Sequence, residues 1–168
     1  MILRALPLVL VATLALAGCG SSNSSSSNGS NAGAPAQTVH FAKTKFVIHA
    51  GLAFGVFHHF IYNPYKAGKL NHPLLHKLAF IKAAAAALVV IHETKLALAD
   101  AQHSKLLSKV VAPLAALGGA VTLVRSALLH GKVNSGSMDF ANSSTSQASS
   151  AASAAGQPVT ESTAGAGL

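Results

Sequence analysis

Nine histidines in a chain of 168 residues carry most of the chemistry this sequence can offer. They are His40, His49, His58, His59, His72, His76, His92, His103 and His130. Imidazole titrates near neutrality and ligates zinc, copper, nickel and haem iron. His72 and His76 stand four apart, which on a helix places two ligands on one face. His58 approaches them if the first two helices pair antiparallel across the connector Tyr62–Asn71. A His-based metal or haem protein is the alternative reading built on that trio. The pattern is incomplete, because there is no HExxH, no repeated Glu-x-x-His pair and no further ligand at a defined spacing. No metal ligand and no cofactor is therefore assigned.

Catalytic arrangements are equally sparse. There is no GxSxG, no P-loop and no GxGxxG. The central region holds only two acids, Glu93 and Asp100. Seven residues apart on a helix, they share a face but stand about 10 Å apart along the axis. Ser104 and Ser108 lie near His103 without an orienting acid. The sequence is read as non-enzymatic.

The chain's start is more specific. Arg4 precedes an uncharged apolar run from Ala5 to Ala17, followed by small residues, which is the layout of a secretory signal and too short for a permanent span. The run ends Leu16-Ala17-Gly18-Cys19, and Cys19 is the only cysteine. These four residues resemble the lipobox of bacterial lipoproteins. The resemblance implies cleavage before Cys19, a diacylglyceryl thioether on its sulfur and an amine that is often acylated as well. Two or more acyl chains give stable anchoring. Residues 1–18 are then a signal peptide, and the mature protein sits on the extracytoplasmic face of the cell membrane, anchored at Cys19.

Composition divides the remainder. Residues 19–37 are Ser, Asn and Gly-rich and uncharged, and read as a disordered tether. Residues 135–168 are Ser, Ala and Gly-rich with two acids, Asp139 and Glu161, and are expected to be a disordered tail as well. Between them, 38–134 is Ala/Leu-rich, without alternating strands, and predicts an all-α fold: a small antiparallel bundle of three to four helices. The first helix is expected over Thr38–Tyr62, ending before Asn63-Pro64 because the residue before proline avoids the α region. A second starts at an Asn71 cap, with Pro73 in its first turn, and runs to about Ala101. A third runs from near Ser104, interrupted or kinked at Pro113, to a stop at Gly131.

On the first helix Gly51, Gly55, His58 and Tyr62 form one stripe, and Gly51/Gly55 is a GxxxG spacing that permits close approach of a neighbouring helix. Phe46, Ala53, Phe57 and Phe60 lie on the other side. On the second, Phe80, Ala83, Ala87, Val90, Ile91 and Leu98 face the core, while Lys77, Lys82, His92, Lys95 and Asp100 face solvent. Residues 46–65 hold no Lys, Arg, Asp or Glu and just reach the length of a span. The histidines, Asn63 and Pro64 favour a buried bundle helix there, and a membrane-embedded bundle is the third reading.

The region 38–134 carries ten Lys and Arg125 against Glu93 and Asp100, a formal charge of +9. A basic domain outside the cytoplasm meets anionic lipid headgroups and wall polymers. Nucleic acid is not an expected partner, since the anchor separates the domain from it and no recognition motif is present. The leading expectation is a membrane-anchored envelope lipoprotein acting as a non-catalytic structural or interaction module that contacts envelope polyanions or a partner protein.

Overall fold

Apolar and small residues recur three and four positions apart along most of the chain, and this spacing builds the fold. The computed structural model describes the backbone from Ala36 to Leu168 and the side chains from Phe41 onward, within one compact unit, Ala34–Leu168. In order these are α1 (Ala36–Val56), a π-helical turn (Phe57–Tyr62), α2 (Asn63–Lys66), α3 (Lys77–Gln102), a 3-10 turn (Lys105–Leu107), α4 (Ser108–Leu129) and α5 (Ser135–Ala154). No strand occurs among the described residues. Since α1, the π turn and α2 are continuous, the chain forms four rods in an up-down-up-down path. Neighbours in sequence pack together: α1 on α3, α3 on α4, α4 on α5.

The seams are regular. Phe80, Ala83, Ala87, Val90, Thr94, Ala97 and Ala101 are buried on α3. Val110, Leu114, Leu117, Val121, Val124 and Leu128 are buried on α4 in the same rhythm. This is the spacing of antiparallel bundles, in which each side chain seats between residues of the facing helix. The all-α antiparallel bundle expected from the sequence is the fold observed.

Several boundaries differ from expectation. The first rod does not stop before Asn63-Pro64. Asn63 is helical (φ −63°, ψ −46°) and its N–H reaches back to the His58 carbonyl, five residues earlier. Widening the turn in this way gives the Pro64 ring room in an otherwise continuous rod. α3 begins at Lys77, because only a single turn closes on His72, through the N–H groups of Leu75 and His76 at 3.1 Å. His76 then leaves helical geometry (φ −123°, ψ 44°). Core positions on this rod start at Phe80, so nothing holds residues 72–76 in register with it. Pro113 does not interrupt α4; Val110, Leu114 and Leu117 stay in phase across it and packing sustains the helix through the lost hydrogen bond. Gly131 is the expected stop, with φ +68°, and the N–H groups of Gly131 and Lys132 close on Leu128 and Ala127 at 3.0 and 2.9 Å.

The largest difference lies beyond Asn134. The expected disordered tail over 135–168 is instead a fourth rod followed by a docked segment. Asn134 caps α5, its side chain accepting from the Gly136 N–H at 2.8 Å. Met138, Ala141, Thr145, Ala148 and Ala152 are buried against the rest of the bundle. A serine-rich segment is a weak helix by itself, and packing on α4 supplies what propensity does not. The expectations for residues 1–35, signal peptide, lipobox and tether, lie outside the described residues.

Met138 is fully buried, so Met138→Ala is expected to cost roughly 2–5 kcal/mol in urea denaturation. A loss below about 0.5 kcal/mol would mean that α5 does not belong to the core.

Candidate functional site

The π turn brings polar chemistry together at one place. It presents His58 beside the rings of Phe57 and Tyr62, whose centroids lie 5.4 and 5.9 Å from the imidazole. Two distant parts of the chain meet that ring. The Glu161 carboxylate lies 2.7 Å from Nδ1, and since a carboxylate only accepts, Nδ1–H donates to it. The Asn142 amide oxygen of α5 lies 3.1 Å from Nε2. Gly55, His59, Asn63, Ser162 and Thr163 complete the walls of a polar cleft of about 240 Å³ around this ring.

Glu161 is delivered there by the glycines of α1. After α5 the chain turns back and runs along Gly51 and Gly55, where the Ser162 N–H donates to the Gly51 carbonyl at 3.0 Å. A Cβ on Gly51 would lie 2.5 Å from the Thr160 carbonyl oxygen, and one on Gly55 would overlap the Ser162 carbonyl. The close approach expected of these glycines is therefore real, but its occupant is an extended C-terminal segment and not a helix. The sequence reading missed Asn142, Glu161 and this segment altogether. A lone Pro158-Val159 in a polar stretch was the only local sign of burial.

The expected histidine trio does not assemble. His72 and His76 are exposed in the connector between α2 and α3, and His58 is engaged by Glu161 and Asn142. Among the described residues no group of three or more His, Cys, Asp or Glu converges as a metal site would require. His49 pairs instead with Glu93, 2.6 Å from Nδ1 to the carboxylate, tying α1 to α3 half-buried. His130 reaches the Ser126 carbonyl at 2.7 Å. Cys19 lies outside the described residues. Ser104 is buried and Ser108 exposed, in the turn after His103.

Two of the four carboxylates are thus spent on histidines. Among the described residues no Lys or Arg lies within 4 Å of a carboxylate, and the ion pairs present are His49–Glu93 and His58–Glu161. Most lysines are fully exposed, including Lys66, Lys69, Lys77, Lys82, Lys105, Lys109 and Lys132. The result is a cationic surface that the protein does not neutralise.

Apolar exposure is the other surface property. Between α3 and α4 runs an apolar groove of about 260 Å³, lined by Ile91, Leu98, Leu114 and Gly118 among others. Residues 105–129 are long and apolar enough to cross a membrane by length and composition, with 39% of the apolar window buried inside the bundle. Residues 46–65, the span considered from the sequence, supply Phe46, Phe54, Phe57 and Ile61 to the core. Comparison with protein-family models, with curated proteins and with solved structures finds no match for the chain.

Gly55→Ala is expected to undock residues 157–163 while leaving the helices intact, since overpacking against backbone costs roughly 1–3 kcal/mol. Cleavage after Glu161 by a glutamate-specific protease should then accelerate with an unchanged helical circular-dichroism signal. An unaltered cleavage rate would argue that the segment does not depend on this groove.

Proposed function

We propose that this protein is a lipid-anchored envelope module, attached through Cys19 at the extracytoplasmic face of a bacterial membrane, whose helical domain binds polyanions without catalysing a reaction. The observation that carries the reading is the allocation of charge. The few carboxylates are held by His49 and His58, and the lysines are left without acidic neighbours among the described residues. Each Lys or Arg held near an anionic surface contributes about 1 kcal/mol. The Leu16-Ala17-Gly18-Cys19 resemblance supplies the place where such surfaces are found, and the polar cleft at His58 is occupied by the protein's own Glu161.

The test has two parts. Mass spectrometry of the membrane-extracted protein is expected to show a chain beginning at Cys19 with diacylglycerol on its sulfur. Unmodified Cys19 would remove the anchor from the reading. The detergent-solubilised full chain should bind immobilised inorganic polyphosphate, with affinity falling at least about tenfold as salt rises through the range where the Debye length shrinks from ~10 to ~3 Å. Binding that ignores salt, or no binding at low salt, would overturn polyanion recognition.

A further inference from the structure

The connector between α2 and α3 has an unusual composition for a loop tip. Exposed turns are ordinarily polar, yet Leu74 and Leu75 are 81% and 77% exposed, the most exposed large apolar residues of the described chain. Leu78 and Ile81 continue the patch onto the first turns of α3, each 66% exposed. Leu70 alone of this connector's leucines turns inward, at 1% exposure.

Charge surrounds these leucines in a particular way. Lys66, Lys69, Lys77 and Lys82 flank them in sequence, all exposed, and no acid occurs between Lys66 and Lys82. The turn between α4 and α5 joins the same pole: a Cβ on Gly131 would stand 3.5 Å from the Pro73 ring. That turn adds Lys132 and an exposed Leu129. The one carboxylate near this pole without an ion-pair partner among the described residues is Asp139, a turn into α5. Leucines at the tip, ringed by lysines, are the arrangement that enters a headgroup–acyl boundary while its cations meet anionic lipid.

We propose that this pole is an insertion surface for an anionic phospholipid bilayer, with Leu74 and Leu75 entering the interface. This rests on the polyanion reading and narrows it from any polyanion to the membrane surface, and from the whole domain to one end of it. A second protein would account for the leucines but not for a surround of lysines with a single acid. A wall polymer would account for the lysines but gives the leucines nothing to enter.

The absence of tryptophan from the chain allows a clean experiment on the complete, lipidated protein. Full-length L75W and L123W variants are reconstituted separately into phosphatidylcholine vesicles with and without phosphatidylglycerol, using lipids brominated on the acyl chain. Leu123 is 62% exposed on the side of α4, away from the tip. L75W fluorescence should shift to the blue and be quenched several-fold more in vesicles containing phosphatidylglycerol. L123W should remain unquenched. Adding Lys69→Glu and Lys132→Glu to L75W should weaken the quenching by about tenfold, following roughly 1 kcal/mol for each lysine removed.

L75W unquenched in anionic vesicles overturns the insertion surface, and intact polyphosphate binding would then leave the broader reading standing. Equal quenching of L75W and L123W overturns it in favour of a bundle embedded on its side. A blue shift that disappears on dilution within the membrane, without quenching, overturns it in favour of contact with a second copy.

Discussion

The three-and-four spacing of small side chains is the constraint on which the rest of this structure depends. Alanine, serine and threonine occupy many of the seam positions on α3 and α5, and valine and leucine occupy most of those on α4. Small residues bring helix axes close, so dispersion contacts between backbones replace those of bulky side chains. They also tolerate little error in phase. A rod with alanines at the seam has few large knobs to hold its register, and the larger residues at the ends, Phe80 on α3 and Met138 on α5, help to supply it. The bundle can for this reason be assembled from a composition that resembles a linker.

That same property explains what was and was not legible in the sequence. The three rods through Gly131 show in the chain because Phe80, Val90, Leu114 and Leu128 mark their buried faces with residues that composition alone identifies as apolar. α5 hides because its seam is Met138, Ala141, Thr145, Ala148 and Ala152, and four of those five are common in disordered segments too. Spacing distinguishes the two cases where composition does not. The Gly51/Gly55 pair announces a close neighbour, but the occupant lies more than a hundred residues away and carries no helical pattern. His72 and His76 illustrate the opposite error: a four-residue spacing has meaning only on a helix, and His76 departs from helical geometry.

The histidines of the structure serve organisation. His49 joins the first and second long rods through Glu93, and His58 collects Asn142 from the last rod together with Glu161 from the returning chain. α1 and α5 would otherwise meet weakly, so His58 and the segment beneath it close the bundle where its helices leave a gap. Using the scarce acids internally has a second effect at the surface, because each carboxylate satisfied by a histidine is one fewer to screen a lysine. Interior cohesion and exterior charge are set by the same few residues.

The four-rod path has a geometric consequence. An even number of antiparallel rods returns the chain to the end where it began, so α1 starts and α5 finishes at one pole while the α2–α3 connector lies at the other. The 21 residues of α1 alone separate those poles by about 30 Å at helical rise. Eighteen residues from Gly20 to Gln37 extend to about 60 Å at most, more than the rod is long. A chain fastened at Cys19 can thus either fold over onto its own bilayer or stand upright and join it to a facing layer. The ratio of tether to rod makes the domain a spacer whose reach is set by the linker, and shortening that linker below the rod length would leave only the upright arrangement.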